Sequence, residues 1–139
     1  MNLQNIFFIL FVICSSCNSI QRQERFQTCI GSNYENVNKV SLEGIESEND
    51  FDAKTVSIEG YFFYNFEDIA LYSSKQSDKS NNSVWLNFTK DILKYEKQIK
   101  ALSGKRVIAV GKLKLGNKGH LNSYSAVLDS VFCIKESKE

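Results

Sequence analysis

Residues 104–134 read GKRVIAVGKLKLGNKGHLNSYSAVLDSVFCI, and they restrict the fold more than any other stretch of the chain. Residues 105–115 are dense in Val, Ile and Leu, which favour a pleated strand. Val107 and Ala109 alternate with Ile108 and Val110, so both faces are apolar at first. After Gly111 the order becomes Lys112, Leu113, Lys114, Leu115, a clean alternation. A strand buried on both faces that becomes half exposed suits a barrel strand running out to a rim. Gly111 stands at the changeover, where a bulge or sharp bend is expected. Residues 116–119 (GNKG) are turn chemistry, because Gly and Asn tolerate positive φ. Residues 124–134 predict a second strand, with Ala126, Leu128, Phe132 and Ile134 in one phase and Val127, Val131 and Cys133 in the other.

Upstream, Val40, Ser41 and Leu42 form a short apolar start followed by acidic residues, read as a brief strand and one helical turn. Residues 56–64 (VSIEGYFFY) are a clear strand. Val56, Ile58, Phe62 and Tyr64 share one phase, and Gly60 lies mid-strand. Residues 67–68 predict a turn, residues 69–72 (IALY) a second strand and residues 84–88 (VWLNF) a third. The polar segment 73–83 between them reads as an exposed loop. A helix follows. Thr89 suits an N-cap, Asp91 suits the helix dipole, and Gly104 suits the residue just past the helix end. Ile92, Tyr95, Ile99 and Leu102 fall on one helical face.

Three strands, a helix and two strands is the order of the OB-fold. The expected class is therefore mainly β: a five-stranded Greek-key barrel with one α-helix between strands 3 and 4. The segments VSIEG, ALY, VWL, LSGKRVIAVG and GHLNSY resemble small exported bacterial OB-fold proteins of unassigned function. The resemblance covers residues 40–134 and brings no catalytic residues with it. Fold does not fix function.

The amino terminus points to export. Residues 6–13 (IFFILFVI) have the length of a signal-peptide core and are too short to span a bilayer as a helix. Ser15 and Ser16 then lead to Cys17, a pattern that resembles a bacterial lipoprotein signal. It departs from that family in having Cys14 three positions before the cysteine and no Lys or Arg in residues 1–5. The resemblance implies a signal peptide over residues 1–16, acylation of Cys17, a tether over residues 17–28 and a domain over residues 29–139. An ordinary secretory signal and a retained hydrophobic anchor are the alternatives. Cys29 and Cys133 are then left near the two ends of the domain. Export permits a disulfide between them, closing a loop of about 100 residues; two free thiols are the alternative.

Four features bear on chemistry. His120 is the single histidine, and it follows the glycine loop with no triad partner in the local sequence. It reads as structural or solvent-exposed, with ligand contact as the alternative. Tyr72 and Trp85 fall on the second and third strands, where aromatic rings stack on ligands in many OB-folds or else fill the core. With one His and no paired cysteine spacing, neither a metal nor a cofactor is expected. Charge is segregated: residues 35–68 hold nine acidic and two basic residues, and residues 90–118 hold nine basic and two acidic. Such a basic segment suits an anionic partner or a solvated face, and export disfavours nucleic acid. Asn-x-Ser/Thr triplets at Asn81 and Asn87 matter only in a eukaryotic secretory pathway.

The expected function is a non-catalytic binding module of the bacterial envelope, held on the membrane by its N-terminal lipid. It would recognise a protein or glycan through Tyr72, Trp85 and His120. The alternative is an immunity-type or inhibitor protein that neutralises a toxin or enzyme.

Overall fold

A computed structural model describes residues 27–29, 34, 36–76 and 82–138. The expected signal segment 1–16, the acylation site Cys17 and the tether up to residue 26 lie outside the described residues. Among the described residues there are seven strands: β1 (Gln27–Cys29), β2 (Asn38–Val40), β3 (Thr55–Asn65), β4 (Asp68–Tyr72), β5 (Ser83–Phe88), β6 (Arg106–Lys114) and β7 (Ala126–Glu136). One short helix, α1 (Glu96–Lys100), continues a three-ten turn, Ile92–Tyr95.

Five of the strands close a barrel. β3 pairs with β4, β4 with β5, β5 with β7, β7 with β6, and β6 returns to β3. The β5–β7 pairing is parallel and the others are antiparallel. These five were expected from the sequence, as was a brief strand at residues 40–42, which the structure places two residues earlier as β2; β1 was not expected. With seven strands numbered, α1 follows β5 rather than a third strand. β1 takes in Gln27 and Thr28, which had been assigned to the tether.

The alternation of β3 explains the closure. Val56, Ile58 and Phe62 are completely buried and line the barrel interior with Leu86, Leu113, Leu128 and Ile134. Gly60 marks where one edge of β3 changes partner. Parallel β2 runs alongside as far as Ile58, and β4 begins at Tyr61. A Cβ on Gly60 would lie 2.5 Å from Leu42 Cδ1 and 2.9 Å from the Tyr72 carbonyl oxygen. Only the missing side chain lets both close in at this crossover.

The helical segment is shorter than expected. Thr89 Oγ1 accepts from the Ile92 amide at 3.4 Å, as a cap residue does. Ile92, Ile99 and Leu102 point into the core. Tyr95 does not: it sits at the break between the three-ten turn and α1, with non-helical backbone (φ −104°, ψ 22°), and its side chain is turned outward.

β7 departs from simple alternation at the place opposite Gly111. Val110 pairs with Cys133 and Lys112 with Asp129, so residues 130–132 face a single position of β6. Ser130, in this bulge, has φ 51°. The extra residues change the phase. Val131 joins Ala126, Leu128 and Ile134 in the core, and Phe132, expected with them, is only half-buried.

Cys29 and Cys133 are joined by a disulfide across directly opposed positions of β1 and β7. The bond fastens the short β1 to the longest part of the barrel wall, where three residues of ladder alone would hold it weakly.

Candidate functional site

The outer face of β4 and β5 carries a second, smaller apolar cluster. Ala70, Tyr72 and Tyr124 are buried there, with Phe63 and Trp85 packed against them. Period-2 alternation puts Ala70 and Tyr72 outside while Leu71 faces the barrel. β4 is therefore apolar on both faces, and something must cover its outside. The cover is the loop between β6 and β7, which lays Tyr124 and His120 over Trp85. The Trp85 and Tyr124 ring centroids are 5.2 Å apart, and His120 stacks on Trp85 at 5.7 Å with the planes 27° apart.

Gly119 makes this approach possible. Its backbone (φ 67°, ψ −154°) is accessible to glycine alone. A Cβ there would lie 2.6 Å from Trp85 Cβ and 3.0 Å from Tyr124 Cδ2. Two consecutive residues after it, Leu121 (φ 53°) and Asn122 (φ 60°), are left-handed without being glycine. That strain is held by the loop's bonds: Tyr124 N–H donates to the Lys118 carbonyl, and Lys118 Nζ donates to the Ser125 carbonyl and pairs with Glu46. Leu121 is thereby presented to solvent, 79% exposed.

Beneath the rings lies a polar anchor. Tyr72 and Tyr124 hydroxyls both donate to Asp68 Oδ1, at 2.5 and 2.9 Å. Burial, then the hydrogen bond to Asp68 and its negative charge, raises both phenols well above their ordinary range. Both stay protonated donors. At the rim, Trp85 Nε1–H donates to Asn87 Oδ1, Asn87 Nδ2 donates to Asp129 Oδ1, and Lys114 pairs with Asp129 at 2.6 Å. The hydrogen bond from Lys114, against some burial, holds the Asp129 carboxyl below the usual carboxylate range. Asp129 is thus a fixed anion within the wall.

Of the three residues singled out from the sequence, Trp85 and His120 touch. Tyr72 is 1% exposed and acts from below, as core. The ring surface that meets solvent is His120 with part of Trp85, next to Leu121. Gly119, Leu121, Asp68 and Tyr124 were missed. An apolar residue inside a glycine loop was the available signal for Leu121.

A second concavity lies on the other side of β3. Glu59 is clasped there by Lys39 (2.7 Å), Arg106 (3.0 Å) and the Ser137 hydroxyl. A cleft of about 580 Å³ opens over it, lined also by Leu42, Tyr61 and Ser73. Partial burial opposes the charge on Glu59, but the Lys39 and Ser137 hydrogen bonds and the two cations outweigh it, lowering its pKa.

The segregated charges of the sequence are largely recombined. Lys94, Lys100, Lys105, Arg106, Lys114 and Lys118 all form ion pairs, while Lys90, Lys97 and Lys112 have none among the described residues. Among the described residues no group of three or more His, Cys, Asp or Glu could hold a metal ion, and no helix is long and apolar enough to cross a membrane. No family model matches the chain, and no curated protein or solved structure matches it either.

Proposed function

We propose that this barrel is an OB-fold serving as a non-catalytic binding module, exported and anchored by lipid on Cys17 in the bacterial envelope. Two features support the OB reading: α1 lies between β5 and β6, the third and fourth strands of the barrel, and β5 and β7 close the barrel in parallel. The OB face made by the second and third strands corresponds here to β4 and β5. The loop joining the last two strands, the other usual contributor, carries Gly119, His120 and Leu121.

One observation carries the reading. A loop with strained backbone is pinned onto Trp85, and the pinning leaves His120 and Leu121 outermost. A fold has no stability reason to hold a leucine in a left-handed conformation in solvent. Strain of this kind persists where a surface is preorganised for contact. The partner is a protein or glycan. The apolar tip beside two rings suits an apolar protein patch or the non-polar face of a sugar.

Two experiments test this. The intact mass of the protein from its host should match residues 17–139 plus acyl chains; an unprocessed chain would remove the envelope location. His120→Ala and Leu121→Asp should each lower recovery of an envelope partner or glycan by more than about tenfold, worth about 1.4 kcal/mol. Leu121→Asp should not lower the unfolding midpoint, and His120→Ala should cost at most the loss of one ring contact, about 0.5–1.5 kcal/mol. Wild-type recovery by both variants would reject this face as the site.

A further inference from the structure

The pole of the barrel opposite the His120 loop gathers most of the exposed apolar side chains. Four large hydrophobic residues are exposed among those described: Phe66 (98%), Leu93 (39%), Tyr95 (41%) and Leu121. The first three belong to one pole. Leu93 and Tyr95 lie on the three-ten turn leading to α1. Phe66 sits at the β3–β4 turn, two residues beyond Tyr64. The Tyr64 hydroxyl donates to Glu96 Oε1 at 2.8 Å, and Lys100 Nζ stands 5.2 Å from the centre of its ring. The turn and the helix are therefore neighbours.

The same pole is basic. Lys90, Lys94, Lys97 and Lys100 are all exposed. Of the local acids, Asp91 and Glu96 are occupied by Lys94 and Lys100; Glu67, next to Phe66, has no ion pair among the described residues, and neither do Lys90 and Lys97, which leaves a small excess of positive charge. β1 packs against the three-ten turn, and Gln27 lies opposite Lys135 near the end of β7. The chain thus enters the barrel at this pole, preceded in sequence by the apolar run 6–13 and Cys17.

We infer that the helical pole, with Phe66, Leu93 and Tyr95 beside the lysines of the helical segment, rests on a bilayer surface rich in anionic phospholipid. Apolar side chains inserted at headgroup depth together with lysines at the phosphate level are what bind peripheral elements to such surfaces. The lysine stems extend past the apolar residues while their ammonium groups stay wet. Charge complementarity selects the bilayer over an apolar protein patch, and, resting on the proposed acylation of Cys17, the entry of the chain at the same pole brings it there. The orientation turns His120 and Leu121 away from the membrane. It does not depend on what those residues bind.

The test uses the full chain reconstituted in vesicles of brominated phosphatidylglycerol or brominated phosphatidylcholine. Trp85 is the sole tryptophan and reports the far face. Phe66→Trp and Tyr95→Trp add probes at the pole, and the first replaces a side chain so exposed that the fold cannot depend on it. Both variants should be quenched at least about twofold more than the parent in phosphatidylglycerol, with most of the excess lost in phosphatidylcholine, at high salt or with Lys90→Glu/Lys97→Glu. Quenching of both probes no greater than that of Trp85 would overturn the inference. So would equal quenching in the two lipids.

Discussion

Replacing Gly119 by Ala tests whether the β6–β7 loop is pinned to Trp85 as described. The backbone at φ 67°, ψ −154° costs any other residue about 1–3 kcal/mol. The new methyl would stand 2.6 Å from Trp85 Cβ and 2.9 Å from Cγ. Those atoms are the root of a ring wedged between His120 and Tyr124, so they cannot swing aside. Overpacking of that kind adds about 1–3 kcal/mol. Together the two terms give a loss of about 2–6 kcal/mol. The loop can limit the loss by lifting away, which takes His120 off the ring. Urea unfolding followed through the single Trp separates these outcomes. The expected result is a midpoint shift of at least about 2 kcal/mol, or a smaller shift with a red-shifted native emission. Gly116→Ala is the control, because nothing lies within 4 Å of its added Cβ; it should change stability by less than about 0.5 kcal/mol. If Gly119→Ala matched that control in both stability and emission, the packing argument would be wrong.

Other predictions concern the supports of the barrel and the face. Cys29→Ser/Cys133→Ser removes a crosslink between residues 104 apart in sequence; loop entropy sets the loss at about 4 to 5 kcal/mol, read as a lower urea midpoint that reductant reproduces in the wild type and not in the variant. Asp68→Ala takes the shared acceptor from two buried tyrosines and should cost about 2–3 kcal/mol, more than Tyr72→Phe, by thermal unfolding. Glu59 has a lowered pKa in the folded state, so the unfolded chain binds its proton first on acidification. Its contribution is whole above the unfolded value, about pH 4.3, and is lost as pH falls through the folded one. Glu59→Gln should therefore flatten the acid limb of the stability profile below about pH 4.5 and leave its slope near neutrality unchanged; an unchanged acid limb would show that Glu59 adds nothing there.

Much of the barrel could be read from periodicity, because strands with one buried face write their burial into the chain. Residues 56–64 and 105–115 gave β3 and β6 to within one residue at each end, and Gly111 was recognisable as a place where the ladder changes. The phase of β7 was not legible. A bulge is a local excess of residues relative to a partner strand, and neither strand alone records it. The outward turn of Tyr95 was equally hidden, since spacing cannot foresee a break in a helix. β1 and β2 are three residues each, too short to carry a period.

The candidate face was half legible. Trp85 and His120 were singled out separately, one from its strand and the other from its loop. Their stacking depends on how the connection over residues 115–125 folds back, which only the close approach at Gly119 reveals. Charge left two readings open, an anionic partner or a solvated face. The antiparallel ladders bring Glu59 to Arg106 and Asp129 to Lys114, so much of the basic block is paired. What remains unpaired in the basic block, among the described residues, is Lys90 and Lys97 at the helical pole and Lys112 on β6.

The central claim is that the outward face of Trp85, His120 and Leu121 is where this protein meets its partner. The most direct test places a photo-crosslinking amino acid at position 121 in the native host, with position 39 on β2 as the control. The account predicts a discrete adduct, protein or glycan, at position 121 that is absent at position 39 and lost when His120→Ala is added. No adduct at position 121, or the same adducts from both positions, would contradict it.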